Sequence, residues 1–253
     1  MSIHYTPEDY QTAPHALRDK VILVTGAGGG IGREAALIYA KYGASLVLVG
    51  RTRQKLERVY DEIISAGGKT PMIFATSFNT LSEGDCAALA ARIDSEFGRL
   101  DGLLHNASIL GERTPIENAN AAVFDEVIQI NVSVAFKLTK HLLPLLKKGE
   151  NASIIFTSSS VGREGRAHWG AYGVSKFATE GLMQILADEL ANTSSVRVNS
   201  LNPGATRTPM RASAYPAENP ATVSEAKDIM ACYLYLMDTP SIGLTGLAFN
   251  AQR

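Results

Sequence analysis

The sequence has few of the features that indicate a disulfide framework, a metal site or a membrane anchor. Its only cysteines, Cys86 and Cys232, are far apart and lack neighbouring ligand residues, which excludes a disulfide framework and a zinc site. No apolar run approaches the ~20 residues of a membrane helix. Residues 1–9 are polar and acidic and lack the basic and apolar blocks of a signal peptide. We therefore predict a cytoplasmic protein that holds no metal and does not associate with a membrane.

An excess of charge of one sign is also lacking. The chain has 24 lysines and arginines against 25 aspartates and glutamates, so its formal net charge is −1. Proteins that bind nucleic acids usually carry a basic excess. We therefore expect no nucleic-acid partner.

Short apolar runs alternate with helix-length segments along the chain. An unbroken run such as Val-Ile-Leu-Val at 21–24 is typical of a strand covered on both faces, as in a parallel sheet. Further strand candidates lie at 46–49, 72–74, 103–105, 154–156, 196–198 and 247–249, with helix-length segments at about 52–66, 82–97, 118–147, 171–191 and 224–237. This alternation predicts a single α/β domain, a Rossmann-type doubly wound parallel sheet flanked by helices on both faces, over residues 19–253. Residues 1–18 are polar and are expected to form an arm outside the core.

A cluster of glycines follows the first predicted strand directly and precedes the first predicted helix. Residues 26–32 contain five glycines in seven positions and fit the pattern T-G-x-x-x-G-x-G. A glycine-rich turn between a strand and a helix lets backbone N–H groups approach a pyrophosphate at the helix N-terminus. We therefore predict a dinucleotide site here, formed by Gly26, Gly28, Gly30, Ile31 and Gly32.

The end of the second predicted strand bears on the choice of cofactor. A site for NAD usually has an acidic residue there for the ribose 2′-hydroxyl, whereas a 2′-phosphate requires a cation. Here Gly50 is followed by Arg51, and Arg53 is close by. We therefore predict NADP(H) as the cofactor rather than NAD(H). The alternative is that either arginine is only a solvated residue at the start of a helix.

Tyr172 and Lys176 are four residues apart and so share one face of a predicted helix. Because an ammonium near a phenol favours the phenolate, we expect Lys176 to lower the pKa of Tyr172 from its usual value near ~10. Such a phenol could donate and accept a proton near neutral pH. The pair alone is weak support, because Tyr-x-x-x-Lys occurs by chance in many helices. Ser159, thirteen residues before Tyr172, is a candidate for a second polar group.

Asn131 is a polar residue on an apolar helix face. It follows Ile128 by three residues and Val127 by four, so it lies on their side of the predicted helix. An amide in such a position is costly unless it has partners. Asn131 is therefore a candidate for the site, the alternative being a buried amide satisfied by local backbone.

Together these motifs resemble the short-chain dehydrogenase/reductase family, in its compact form of about 250 residues, and most closely its YciK-type bacterial members. The glycine motif at 25–32, Ser159, Tyr172-x-x-x-Lys176 and Asn-Pro-Gly at 202–204 occur in the order and spacing of the family. The resemblance implies an NADP(H)-dependent oxidoreductase that transfers a hydride between nicotinamide and a carbonyl compound or secondary alcohol. Its catalytic residues would be Asn131, Ser159, Tyr172 and Lys176.

The resemblance also gives each catalytic candidate a role. Tyr172 would exchange a proton with the substrate, and Lys176 would bias the pKa of Tyr172 and hold the nicotinamide ribose. Ser159 would hydrogen-bond the carbonyl oxygen, although Ser158 and Ser160 flank it and only the thirteen-residue offset to Tyr172 selects it. In the family, the position of Asn131 kinks the helix and holds a water in a proton relay to the lysine.

Further cofactor contacts are implied by the same resemblance, with two departures from the family pattern. Pro203, Gly204, Thr206 and Thr208 would line the nicotinamide, beside Asn106, Ala107, Tyr172 and Lys176. Ser108 replaces the usual glycine after Ala107, and Ser77 stands near the position where an aspartate commonly contacts adenine. We therefore expect a weaker affinity for the cofactor. These departures also support an alternative, a catalytically weak or silent NADP(H)-binding regulatory or interaction protein.

The segment at about 208–223 is the expected substrate loop. Basic and aromatic residues surround the reacting groups in sequence, namely Arg163, Arg166, His168, Trp169, Arg207 and Arg211. From them we hypothesise a small carbonyl or alcohol substrate that is acidic or phosphate-bearing, with solvated loop charges as the alternative.

An apolar stripe on the helix predicted at 171–191 suggests self-association. It runs through Leu182, Ile185, Leu186 and Leu190 at helical spacing. Combined with the helix predicted at 118–147, it resembles the four-helix interface of the family. We expect a homodimer or homotetramer, although packing within one chain would explain much of the same stripe.

Overall fold

The fold is a parallel sheet of eight strands with helices on both faces, in a computed structural model that describes residues 3–7 and 10–253. The strands are β1 (Ile3–Tyr5), β2 (Val21–Thr25), β3 (Ser45–Gly50), β4 (Met72–Ala75), β5 (Gly102–His105), β6 (Ser153–Thr157), β7 (Arg197–Asn202), β8 (Thr206–Arg207), β9 (Ser224–Glu225) and β10 (Ala248–Asn250). The sheet order is β1-β10-β7-β6-β5-β2-β3-β4, and β8 pairs separately with β9. The predicted Rossmann-type fold is confirmed.

Eight α-helices alternate with these strands in the part of the chain that is described. They are α1 (Gly30–Lys41), α2 (Arg53–Ser65), α3 (Glu83–Phe97), α4 (Ala121–Ile128), α5 (Val134–Leu146), α6 (Gly170–Leu190), α7 (Pro209–Ala214) and α8 (Met230–Met237). A π-helical turn, Gln129–Ser133, joins α4 to α5, and short 3₁₀ turns lie at Ile116–Asn118, Ser160–Gly162, Pro220–Thr222, Ala226–Ile229 and Thr239–Ser241. None of these helices combines the length and apolar character that a membrane crossing requires.

Two hydrophobic cores lie on opposite faces of the sheet, and the central strands supply both. Val21 and Leu23 of β2 belong to the core beneath α3, α5 and α6, whereas Ile22 and Val24 belong to the core beneath α1, α2 and α8. Successive side chains of a strand point to opposite faces. This geometry explains why the strand reads as one continuous apolar run.

The N-terminal segment departs from the expectation of an arm outside the core. β1 extends the sheet by pairing in parallel with β10, with His4 opposite Phe249. The physical reason is that the outer edge of β10 would otherwise leave backbone groups unpaired. Leu17 is fully buried in the core beneath α1. Residues 1, 2, 8 and 9 of the predicted arm lie outside the described part of the chain.

The apolar stripe predicted on α6 also divides in the structure. Leu186 and Leu190 are buried in the core, whereas Ile185 is 60% exposed. An apolar spacing of one helical turn does not distinguish packing against the sheet from packing against another chain. The sequence pattern therefore could not show which residues of the stripe lie in the core.

The strand order reverses between β2 and β5, and the loops after these strands diverge at their carboxyl ends. Ligands of doubly wound sheets bind in the crevice at this point. The glycine turn follows β2, Asn106 follows β5, Ser158 and Ser159 follow β6, and Pro203 follows β7. The fold therefore brings the separate sequence motifs to one edge of the sheet.

Candidate active site

A cleft of about 300 Å³ opens at the carboxyl edge of the sheet. Of the residues predicted from sequence, it is lined by Gly26, Gly30, Ile31, Asn106, Ala107, Ser159, Tyr172, Lys176, Pro203, Gly204, Thr206 and Thr208. Six other predicted residues do not line it: Gly28, Gly32, Arg51, Arg53, Ser77 and Asn131. The cleft thus joins the glycine turn to the Tyr172 and Lys176 pair.

The glycine turn leaves space and free backbone donors for a phosphate group. Gly26 and Gly30 have φ angles of 69° and 53°, a region that L-residues with side chains seldom adopt. A Cβ at Gly32 would lie 2.3 Å from the carbonyl oxygen of Gly26. Gly29, the N-cap of α1, offers no side-chain cap, and the first turn contains no acidic residue. The unpaired N–H groups of this helix end therefore suit a pyrophosphate.

Thr25 ties the glycine turn to the loop after β5. Its Oγ1 accepts hydrogen bonds from the backbone N–H groups of Asn106 at 2.9 Å and Ala107 at 3.1 Å. The amide of Asn106 donates in turn to the carbonyl oxygen of Thr25 at 3.3 Å. These bonds fix both sides of the crevice relative to each other. Thr25 was not singled out in the sequence as a site residue.

The two arginines after β3 differ in their surroundings. Both are exposed, but Arg53 begins α2 and lies 3.6 Å from the carboxylate of Glu57, one helical turn on. Arg51 has no ionic partner among the described residues. Gly50, which ends β3, is buried and carries no side chain that would compete for a 2′-phosphate. Arg51 is therefore the freer of the two cations.

Ser77 follows β4, the strand that pairs with β3, and it lies outside the cleft. Its carbonyl oxygen accepts a hydrogen bond from the backbone N–H of Thr80 at 3.3 Å. The role in adenine contact that the resemblance implies for Ser77 stays a prediction.

Tyr172 and Lys176 meet at the base of the cleft, but the expected lowering of the Tyr172 pKa is wrong for this structure. Burial raises the pKa of Tyr172 to about 12, and a side-chain hydrogen bond with Ser159 opposes that rise. Burial also lowers the pKa of Lys176 to about 8. The ammonium lies 5.5 Å from the centre of the phenol ring. Loss of water around a buried phenolate therefore outweighs the opposing hydrogen bond with Ser159.

Lys176 is anchored at the end of β6. Its Nζ donates a hydrogen bond of 2.8 Å to the carbonyl oxygen of Thr157. The Glu180 carboxylate, one turn further along α6, raises the Lys176 pKa and partly offsets the effect of burial. A lysine held in this way keeps its ammonium beside the cleft.

Asn131 occupies the centre of the π-helical turn and binds partners on two other segments. Its Oδ1 accepts from the backbone N–H of Ile109 at 2.8 Å, and its Nδ2 donates to the carbonyl oxygen of Ile109 at 3.0 Å and to Oγ of Ser175 at 2.9 Å. Single π turns inside helices are frequent at functional sites. The amide is therefore not satisfied by local backbone, which was the alternative interpretation.

A second, much smaller cavity lies behind Lys176. Its volume is about 10 Å³, and Asn131, Thr157, Lys176 and Thr179 are among its lining residues. A polar cavity needs roughly 10–15 Å³ to hold one water. The space beside the ammonium therefore approaches the size of a single water site.

His105 has a structural environment. Its Nε2 lies 2.9 Å from Oγ1 of Thr139, and its ring stacks on Phe156 at 4.8 Å. Burial lowers the His105 pKa to about 3, so the ring is neutral at physiological pH. Both observations favour a hydrogen-bonding role over one in proton transfer.

The basic residues expected to form a cluster for an anionic substrate are dispersed or paired. Arg163 forms a buried ion pair with Glu180, at 2.7 Å. Arg207 pairs with Glu225 at 3.0 Å, and Arg211 pairs with Glu218 at 2.6 Å. Arg166 and His168 are exposed and do not line the cleft. The sequence did not predict these ion pairs, because each carboxylate lies on a different element or loop from the arginine with which it pairs.

Gln252, near the C-terminus, supports the predicted nicotinamide loop and was also not identified in the sequence. Its Nε2 donates to the carbonyl oxygens of Pro203 at 2.7 Å and Ala205 at 3.0 Å. Gly204 has a φ of 72°, and a Cβ there would lie 2.9 Å from Nε2 of Gln252. No motif links a residue so far along the chain to this loop, so the sequence offered no signal.

Metal-ligand geometry is absent from the described residues. No group of three or more histidine, cysteine, aspartate or glutamate side chains within 3–7 and 10–253 could hold an ion. Cys86 and Cys232 are both buried, and Sγ of Cys232 lies 3.5 Å from the carbonyl oxygen of Ala251.

Comparisons with known proteins agree with this architecture along almost the whole chain. Residues 20–219 match the short chain dehydrogenase family. The uncharacterized oxidoreductase YciK of Escherichia coli K12 is 51% identical over 243 residues, covering 96% of each protein. A structure described as a short chain dehydrogenase from Pseudomonas syringae is 59% identical with a TM-score of 0.95, covering 96% of this chain and 99% of that one.

A further solved structure contains a cofactor. A short chain dehydrogenase from Shigella flexneri, described as complexed with NADP, is 51% identical with a TM-score of 0.93 and covers 95% of this chain and 100% of that one. The expected resemblance, including the likeness to YciK-type proteins, is thereby confirmed. Identity of this extent over a shared fold shows that the chain belongs to the short-chain dehydrogenase/reductase family.

Proposed function

We propose that this protein is an NADP(H)-dependent oxidoreductase that interconverts a carbonyl compound and a secondary alcohol. The observation that carries the proposal is the meeting of Ser159, Tyr172 and Lys176 in one cleft with a glycine turn suited to a pyrophosphate. When bound, NADP(H) supplies or accepts the hydride. The residues of the chain then have to position the substrate oxygen and move a proton.

Tyr172 is the proposed acid and base. Its hydroxyl is hydrogen-bonded to Ser159, so a substrate oxygen that reaches one hydroxyl is within range of the other. In reduction, Tyr172 donates its proton to the developing alkoxide, and Ser159 donates a hydrogen bond to the same oxygen. In oxidation the proton returns to Tyr172.

Lys176 stabilises the charge that Tyr172 acquires when it gives up its proton. With a pKa of about 8, the lysine is mostly protonated at neutral pH and becomes neutral as the pH rises above that value. The small cavity shared with Asn131 supports a route by which a water returns a proton toward the tyrosine. Asn131 would hold that water while its bonds to Ile109 fix the helix turn.

Selection of NADP(H) is assigned to Arg51. It is exposed, has no carboxylate partner among the described residues, and directly follows Gly50 at the end of β3. A guanidinium suits a phosphate because it presents several donors in a planar fork. The NADP complex of the related Shigella flexneri protein supports the same cofactor for this chain.

Self-association is proposed through the outer faces of α5 and α6. Phe136, Val174, Phe177 and Ile185 are each about half exposed or more. Large apolar side chains gathered on neighbouring helices of one face favour burial against another chain. We propose a homodimer or homotetramer in the cytoplasm.

A screen of carbonyl compounds with NADPH, and of alcohols with NADP⁺, tests the proposed reaction. We expect turnover of some members by the wild-type protein and none above background by Tyr172→Phe. Ser108, which lines the cleft where the family usually has glycine, supports the second candidate, a cofactor-binding protein with little or no activity. Tight NADPH binding without turnover across a broad panel would favour that candidate.

A further inference from the structure

A third hydrophobic cluster lies at the substrate end of the cleft, separate from the two cores on the sheet. Its buried members are Val161, Trp169, Tyr172 and Ala214, and partly buried Leu110, Met210 and Tyr215 pack against them. The rings of Trp169 and Tyr172 are 5.7 Å apart, and those of Trp169 and Tyr215 are 5.9 Å apart. The proposed acid is thus part of an apolar, aromatic surface.

The arginine at this end of the cleft already has a carboxylate partner. Lys176 and Arg211 are the only cationic side chains among the described residues that line it. Arg211 makes a two-pronged pair with Glu218, Nε to Oε2 at 2.7 Å and Nη2 to Oε1 at 2.6 Å. A carboxylate that approached Arg211 would therefore meet Glu218 as well, and it would lose water without gaining an unpaired cation there. Lys176, whose ammonium donates to the carbonyl oxygen of Thr157, lies beside the reacting groups instead.

Arg113 lies outside the cleft and packs against its aromatic wall, which is formed by the rings of Trp169 and Tyr215. Its guanidinium carbon lies 4.6 Å from the ring centre of Trp169 and 5.1 Å from that of Tyr215. It also donates a hydrogen bond to the carbonyl oxygen of Ala214, the last residue of α7. Arg113 comes from the loop after β5, so these contacts hold the expected substrate loop against the opposite wall.

The size of the cleft limits what the aromatic wall can accept. Ligand pockets usually measure roughly 300–1,000 Å³, and this cleft is about 300 Å³. A nicotinamide must share that volume with the substrate. The remaining space therefore suits a compound with a single small ring.

We propose that this end of the cleft selects small, neutral carbonyl compounds with an apolar ring and discriminates against carboxylate- and phosphate-bearing ones. The proposal names the substrate class of the hydride transfer proposed above and rests on it. It replaces the hypothesis of an acidic or phosphate-bearing substrate, because the arginines on which that hypothesis depended have carboxylate partners or lie outside the cleft.

The chain contains a built-in reporter for the test, because Trp169 is its only tryptophan. The probes are matched pairs of ketones, cyclohexanone against 4-oxocyclohexanecarboxylate and acetophenone against 4-acetylbenzoate. Tryptophan fluorescence of the NADP⁺ complex measures binding, and NADPH oxidation measures kcat/KM. We expect the neutral member of each pair to change the fluorescence at lower concentration and to be turned over at least roughly tenfold more efficiently, a difference of ~1.4 kcal/mol.

Glu218→Gln tests the origin of the discrimination. Loss of the carboxylate leaves the charge of Arg211 uncompensated, so the preference for neutral probes should fall by several-fold. The matched control is Glu225→Gln, which breaks the ion pair with Arg207 outside the cleft and should leave the preference unchanged. Tyr215→Ala provides a second variant, and it should weaken binding of the neutral probes more than that of the anionic ones.

The outcomes separate this inference from the proposed reaction. A fluorescence response to neutral probes without turnover would support the site and contradict hydride transfer. Turnover that favours the carboxylate-bearing member of each pair would overturn the site while supporting hydride transfer. If the neutral probes leave the fluorescence of Trp169 unchanged at millimolar concentration while NADP⁺ is bound, the inference is wrong.

Discussion

Glu180 and Arg163 form a buried ion pair directly behind the serines at the end of β6. Oε1 of Glu180 lies 2.7 Å from Nε of Arg163 and accepts a hydrogen bond of 2.6 Å from Ser158, the residue before Ser159. Its other oxygen accepts from Ser200 at 2.7 Å. Glu180 also lies one turn after Lys176 and raises the pKa of that lysine. One carboxylate thus links Ser158, the neighbour of the proposed polarising serine, to the environment of the proposed cation.

Replacing Glu180 with glutamine should change the pH dependence of activity. Without the carboxylate, burial lowers the Lys176 pKa further below about 8. Activity that requires the protonated lysine is lost as the pH rises through that pKa, so the alkaline limb of the kcat profile should move to lower pH. A profile of kcat against pH for wild type and variant measures the shift, with Glu164→Gln, an exposed carboxylate, as the control.

The same Glu180 substitution should destabilise the protein. Removing one partner of a buried ion pair typically costs about 3–5 kcal/mol, because it leaves the other charge without compensation. Urea unfolding checks the cost. An unchanged alkaline limb together with reduced stability would mean that Glu180 has a structural role only.

Lys176 should lower the stability of the cofactor-free protein. Its pKa is depressed from 10.5 to about 8 by burial. Below pH 8 the lysine is protonated in both the folded and unfolded states, so the full cost of burying the charge is present. Stability then rises with pH between about 8 and 10.5, where the folded state has released the proton and the unfolded state has not.

Lys176→Met should therefore stabilise the protein while abolishing turnover. Replacement of a buried ion pair by apolar residues often gains about 1–4 kcal/mol. We expect a gain of that order from removing the single buried ammonium, and it should be larger at pH 7 than at pH 10. Urea unfolding at both pH values measures it, with exposed Lys41→Met as the control. A loss of stability at both pH values would show that the bond to Thr157 outweighs the cost of burial.

Arg51 should account for most of the discrimination between the two cofactors. A hydrogen bond to a charged group contributes about 1.5–3 kcal/mol, so Arg51→Ala should raise the Kd for NADPH roughly 10- to 100-fold and leave that for NADH nearly unchanged. Arg53→Ala is the matched comparison and should have a smaller effect, because Arg53 already faces Glu57. Calorimetric titration of the wild type and both variants with each cofactor measures all six constants. Tighter binding of NADH than of NADPH by the wild type would contradict the assignment.

The exposed apolar side chains of α5 and α6 should hold the oligomer together. Phe136 and Phe177 are 51% and 47% exposed. Replacing both with glutamate introduces like charges that cannot be buried without a large penalty, so the assembly should dissociate. Light scattering at micromolar concentration gives the mass, with Ile116→Glu, exposed in a 3₁₀ turn, as the control. A monomeric wild type would contradict the proposed assembly.

The local patterns predicted the fold well because strands that are covered on both faces are almost uniformly apolar. Residues 21–24 and 154–156 fall within β2 and β6, which are fully buried. β1 was missed because an edge strand of three residues, one of them His4, has no such pattern. The long segment at 118–147 was read as one helix, whereas the π-helical turn around Asn131 divides it.

The electrostatics of the site could not be predicted from local sequence. The spacing of Tyr172 and Lys176 gave their proximity, but the direction of the Tyr172 pKa depends on burial by distant segments. Local sequence likewise does not show that Arg163, Arg207 and Arg211 have carboxylate partners. Arg113, which holds the aromatic wall, lies 56 positions before Trp169 and belongs to no motif.

Comparison of the wild-type protein with Tyr172→Phe tests the central claim most directly. The substitution removes only the hydroxyl that is hydrogen-bonded to Ser159 and keeps the ring that packs beside Trp169. With a carbonyl compound found active in the screen, we expect kcat to fall about 10²- to 10⁴-fold, the usual contribution of general acid catalysis, while the Kd for NADPH stays within about twofold. A variant that retains the wild-type kcat would show that Tyr172 is not the proton donor.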